Sequence, residues 1–70
     1  MSVERTCIET GKLLREYFSD AGYVKDGSEV VFFAKLLDDA PVYLSVNYEI
    51  DSLVGLNQHQ IVDKILVHWL

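Results

Sequence analysis

Basic residues, cysteine and proline are scarce in this chain, and it has no long apolar run. Lysine and arginine together number 6 against 11 aspartates and glutamates in 70 residues, a formal net charge of -5. Proteins that grip phosphate backbones draw most of their affinity from lysine and arginine, so nucleic acid is a disfavoured partner. The single cysteine, Cys7, excludes an internal disulfide and a cysteine-rich metal site. It reads as a small buried hydrophobe on a helix. No apolar run approaches the roughly 20 residues that span a bilayer, and the amino terminus shows no signal-peptide pattern. The expectation is a cytoplasmic protein without membrane association.

Recognisable chemistry is missing as well. Catalysis needs a nucleophile with a base in reach, two carboxylates of divided role, or a metal. His59 and His68 sit on opposite sides of one helix and cannot chelate a single ion. Asp38 and Asp39 are adjacent residues just before Ala40-Pro41, which is turn chemistry. Gly27-Ser28 lacks the further glycines and the lysine of a phosphate loop. No catalytic, metal-ligating or cofactor-binding residue is expected, and the chain does not read as an enzyme.

What is present is apolar patterning. Half of the residues are hydrophobic, too many for a chain disordered by composition. Residues 1–70 read as one small globular domain, near the lower size at which a core suffices without staples. The organising stretch is residues 29–50. From Val42 to Ile50 the side chains alternate, with Val42, Leu44, Val46, Tyr48 and Ile50 on one side and Tyr43, Ser45, Asn47 and Glu49 on the other. Residues 30–37 are apolar on both sides, and their valines and phenylalanines favour a strand. A one-residue slip would exchange the two faces, and burying Lys35 unpaired would cost several kcal/mol. Val30, Phe32, Ala34 and Leu36 are therefore expected inward. Val31, Phe33 and Leu37 are then outward, with Tyr43.

Around this hairpin the chain announces helices and one further strand. Ser2 or Thr6 can open a first helix, whose stripe of Val3, Cys7, Thr10, Leu14, Tyr17, Phe18 and Ala21 faces the core, with Gly22 as its stop. Ile8 falls on the polar side of that helix: either the first residues run differently or Ile8 belongs to an interaction surface. Asp26-Gly27 signals a hairpin between a short strand at residues 23–25 and the strand beginning at Ser28 or Glu29. After a loop at residues 51–55, Asn57 and Gln60 form a capping box for a last helix, with Leu56 as a staple. Its stripe is Ile61, Val62, Ile65, Leu66 and Trp69, with Val67 isolated on the far side. The expected class is α+β, in the order α-β-β-β-α: a three-stranded antiparallel meander with two helices on one face.

That order, at about this length, resembles double-stranded-RNA-binding domains and the small HicA-type toxins of similar layout. The resemblance is one of architecture and implies only the fold. The lysine cluster that begins the second helix of such RNA-binding domains is replaced here by Asn57-Gln58-His59-Gln60, and the sheet histidine that follows a Gly-Ser pair in the toxins is replaced by Glu29 after Gly27-Ser28.

These features point to protein contact. Val31, Phe33, Leu37 and Tyr43, with the acidic pair Asp38 and Asp39, are the expected interface of a small acidic binding module: an inhibitor, an antitoxin-like protein or a phage-type regulator. The alternatives are a homo-oligomeric structural protein, most simply a homodimer, and an RNA-binding or toxin-like domain that has lost its working residues.

Overall fold

The computed structural model describes residues 2–39 and 42–70. The expected class is what it shows, with one short extra helix. The elements are α1 (Val3–Leu14), β1 (Asp20–Asp26), β2 (Glu29–Lys35), β3 (Tyr43–Glu49), α2 (Ile50–Leu53) and α3 (Gln58–Trp69). The strands form one antiparallel sheet in the order β1-β2-β3, so β2 is central.

Helix α1 starts one residue after Ser2, whose Oγ accepts the Arg5 N–H at 3.1 Å. Thr6 is inside the helix and buried, which leaves Ile8 on the solvent side. Cys7, Thr10, Gly11 and Leu14 face the core, and the Thr10 hydroxyl is satisfied by donating to the Thr6 carbonyl at 2.7 Å. The stripe does not continue to Ala21 as a helix. Arg15 is the C-cap, and Glu16 and Tyr17 close tight turns onto the Leu13 and Leu14 carbonyls. Ser19 then donates both its N–H and its Oγ to the Lys35 carbonyl, which carries the chain into the sheet. Gly22, expected as a helix stop, lies inside β1.

Residues Gly27 and Ser28 form the loop between β1 and β2. Gly27 has φ +62 and Ser28 does not share a positive φ, the pattern of a type II′ turn that matches the twist of the flanking strands. Across the sheet, Tyr23, Phe32 and Val46 stand opposite one another, as do Ala21, Ala34 and Leu44. The register is the one that Lys35 demanded: Val30, Phe32 and Ala34 are buried under the helices, and Val31, Phe33 and Lys35 point away. Leu36 and Val42 were expected inward, but both are exposed because β2 ends at Lys35 and β3 begins only at Tyr43. Ile50 is the first residue of α2 rather than the last of the strand. Of the turn at residues 38–41, Asp38 and Asp39 lie in a turn, while Ala40 and Pro41 fall outside the described residues.

Helix α3 has the capping box in full: Asn57 Oδ1 accepts the Gln60 N–H at 3.0 Å, and Gln60 Oε1 accepts the Asn57 N–H at 2.9 Å. Its residues Ile61, Val62 and Ile65 meet Cys7 and Leu14 of α1, Phe32 of the sheet and Leu53 of α2 in one core. The fully buried Phe32, Leu14, Leu53, Ile61 and Ile65 each contribute about 1.5–3 kcal/mol by transfer from water. Trp69 packs at the margin of this core, edge-on to Phe18 with centroids 5.5 Å apart.

Candidate interaction face

The sheet register arranges the outer face as four rows of three residues. Directly opposed residues of antiparallel strands share a face, and alternate residues along each strand repeat it. Starting from the β1–β2 turn, the rows are Asp26, Glu29 and Glu49; Val24, Val31 and Asn47; Gly22, Phe33 and Ser45; and Asp20, Lys35 and Tyr43. Among the described residues the helices all lie on the other side, so these twelve positions form the sheet's open surface.

Its centre is apolar. Val31 and Phe33 are half-buried, and Val24 and Tyr43 are 54% and 52% exposed. Phe33 and Tyr43 are diagonal neighbours in edge-on contact, with centroids 6.3 Å apart and planes at 65°. The Phe33 ring also lies over Gly22: a Cβ at that position would stand 3.0 Å from the ring's Cζ. Gly22 thus serves two surfaces, because its Cα is also the nearest atom to where a Gly11 Cβ would be, at 3.6 Å. Without side chains at Gly11 and Gly22, a shallow groove runs round the β1 edge from Phe33 to Ile8 and Arg15. Ile8, the residue that did not fit the polar side of α1, borders the same surface as Phe33.

One end of the face is acidic. Asp26, Glu29 and Glu49 stand side by side on three strands, and directly opposed like charges destabilise a sheet. Over the whole face, four carboxylates are set against the single ammonium of Lys35. Among the described residues the ion pair within 4 Å is Lys12 with Glu9, at 3.5 Å on α1, so Lys35 does not neutralise the face. The acidic row is not a chelating cluster either, for among the described residues no three histidine, cysteine or carboxylate side chains gather as metal ligands would.

The structure therefore brings together three of the six expected interface residues: Val31, Phe33 and Tyr43. Leu37, Asp38 and Asp39 are exposed beyond the end of β2, in the loop rather than on the sheet. Lys35 is the last β2 residue with partners, opposite Asp20 and Tyr43, and past it the chain bends away. Val24, Ile8 and the carboxylate row are members of the surface that strand-by-strand reading did not assemble. The signal was there in Gly27-Ser28, a glycine-first pair suited to a type II′ turn, since a two-residue loop at those positions places Asp26 opposite Glu29.

The perturbed titrating groups lie on the opposite side. Burial raises the Cys7 thiol and the Tyr23 and Tyr48 phenols above their ordinary values, with the Glu4 charge adding to the effect at Cys7 and Tyr23. All three belong to the helix side of the sheet. Among the described residues no helix is long and apolar enough to cross a membrane. No protein-family model, curated protein or solved structure significantly matches this chain.

Proposed function

We propose that this chain is a small acidic protein-binding module, acting in the cytoplasm by occupying a partner's surface rather than by catalysing a reaction. The observation that carries this reading is the open sheet face, with an apolar centre of Val24, Val31, Phe33 and Tyr43 that no element among the described residues covers. Small soluble domains seldom leave such a patch unused. The carboxylate row beside it supports the reading from a second direction. It costs the free protein stability and would be relieved by a lysine- or arginine-bearing partner, which it would also steer into contact at low salt. The partner fitting this face is a protein surface with an apolar protrusion at its centre and basic residues at one side.

Parallel affinity captures from the native host with the wild-type chain and with Phe33→Asp test the proposal. The wild type should retain a specific protein that Phe33→Asp and Glu29→Lys both lose, while both variants keep their secondary structure. Retention of the same protein by both variants would refute the assignment of the face.

A further inference from the structure

The two free edges of the sheet are built differently. In an antiparallel ladder, successive residues turn their backbone N–H and C=O alternately toward the neighbouring strand and away from it. The two-residue turn makes Asp26 and Glu29 a bonded pair, so Ala21, Tyr23 and Lys25 turn outward from β1. At the other side, the Ile50 N–H donates to the Ser28 carbonyl at 2.8 Å. Counting back from that bond, Tyr48, Val46 and Leu44 turn toward β2, and Tyr43, Ser45, Asn47 and Glu49 turn outward.

The β1 edge is blocked at its Ala21 end. The Ala21 N–H donates to Asp20 Oδ1 at 2.9 Å, and its carbonyl accepts from Arg15 Nη1 at 2.8 Å. Helix α1 lies close by through Gly11, and Lys25 adds a charge that discourages pairing. Among the described residues, the β3 edge has none of these devices. Tyr43–Glu49 carries no lysine, arginine or proline and its pairing with β2 runs without a bulge. Among the described residues, the one bond to its outward groups is from Ser52 Oγ to the Glu49 carbonyl, at 2.7 Å. Beside this edge on the helix side, the cover is thin. Leu44 and Tyr48 are only half-buried, and an open groove lined by Tyr48, Lys64 and Val67 runs along α3, where Val67 is 81% exposed.

We propose that β3 pairs antiparallel with β3 of a second copy across a two-fold axis at Val46, forming a continuous six-stranded sheet. In that register Ser45 bonds Asn47 of the second copy, and the Glu49 N–H of that copy donates to the Tyr43 carbonyl, the Glu49 carbonyl being held by Ser52. Charge selects this arrangement. The row Asp26, Glu29, Glu49 continues into Tyr43, Lys35 and Asp20 of the second copy, which places the acidic end of one face beside the row of the other that holds the face's single lysine. Lys35 then lies two strand spacings from Glu49, about 10 Å between backbones and within reach of the two long side chains. A register that set Glu49 against its own copy would double the repulsion instead. On the helix side, Val46 meets Val46 and Leu44 meets Tyr48 of the second copy, with Val67 of each α3 bordering the seam. The outer face remains open, so the dimer presents two copies of it, and dimerisation through β3 does not depend on what that face binds.

The test is the mass of the full chain in solution by light scattering across a concentration series, joined to amide hydrogen exchange. The wild type should reach twice the 8.0 kDa chain mass. The amides of Ser45 and Asn47 should become protected as concentration rises, while those of Leu44, Val46 and Tyr48 are protected throughout. Ser45→Pro, and separately the double variant Ser45→Lys with Asn47→Lys, should remain monomeric with an unchanged circular-dichroism spectrum; Phe33→Asp should still dimerise. A monomeric wild type at several hundred micromolar would overturn the proposal. So would Ser45 and Asn47 exchange that ignores concentration, or a dimer that survives the edge variants and dissociates with Phe33→Asp.

Discussion

Truncating Phe32 to alanine should unfold much of the protein, whereas the same change at its neighbour Phe33 should leave the fold standing. Phe32 is 0% exposed at the centre of the core, between Tyr23 and Tyr48. Phenylalanine-to-alanine changes at such sites cost about 3–5 kcal/mol, because the lost transfer energy is joined by that of the cavity left behind. A chain of this size has a total stability of about 4–10 kcal/mol, so Phe32→Ala consumes a large share of it. Phe33 rests on Gly22 and Tyr43 with one side in water. Its truncation loses an aromatic pair, about 0.5–1.5 kcal/mol, and part of a transfer term, for a total near 2 kcal/mol. Urea unfolding followed by the fluorescence of Trp69, the single tryptophan, separates the two outcomes through the midpoint at constant slope. Equal losses at the two positions, or a larger loss at Phe33, would refute the register and with it the identity of the open face.

Three further outcomes follow from particular contacts. Asn57→Ala removes the side-chain half of the α3 capping box and should cost about 1 kcal/mol, read from the same urea curves. Glu29→Gln takes the middle charge out of the carboxylate row and should stabilise the protein by about 0.2–1 kcal/mol at low salt, with the gain shrinking at 1 M salt. Raising the pH through the thiol range should lower the melting temperature: the folded state holds the Cys7 proton more tightly than the unfolded chain does, so its contribution is complete below the unfolded value and is lost as pH climbs through the folded one. Cys7→Ala should remove that part of the slope and leave the tyrosine part at higher pH, because Tyr23 and Tyr48 are shifted in the same direction.

How far the sequence disclosed this structure depended on whether a residue had one physically acceptable place. Lys35 had one: it could not be buried unpaired, and that fixed the faces of the central strand. Asn57 and Gln60 likewise had a single reciprocal use, and the capping box stands where the spacing put it. The end of α1 was not legible because Phe18 and Ala21 satisfy a helical stripe and also a turn followed by a strand. What decides is distant: the Lys35 carbonyl captures Ser19, and Gly22 is needed flat beneath the Phe33 ring. Leu36, Leu37 and Val42 were misplaced for a related reason. Their alternation continues past the point where β2 and β3 still have partners, and periodicity carries no mark of where pairing stops. The candidate face shows the same division. Val31, Phe33 and Tyr43 were readable within their own strands, whereas Val24 and the row Asp26, Glu29, Glu49 exist as a surface only once three strands are aligned.

The claim that the open face is the binding surface meets its most direct test in site-specific photo-crosslinking. A photoreactive side chain would be placed in turn at Val24 and Tyr43 on the outer face, and at Tyr17 and Val54 away from it, and each version irradiated in the native host. All four positions are well exposed, so each tolerates the probe. One partner protein other than the chain itself should crosslink from Val24 and Tyr43, be suppressed by an excess of the unmodified chain, and be absent from the Tyr17 and Val54 versions. A partner crosslinked from Tyr17 or Val54 while the outer-face probes stay silent would contradict the claim.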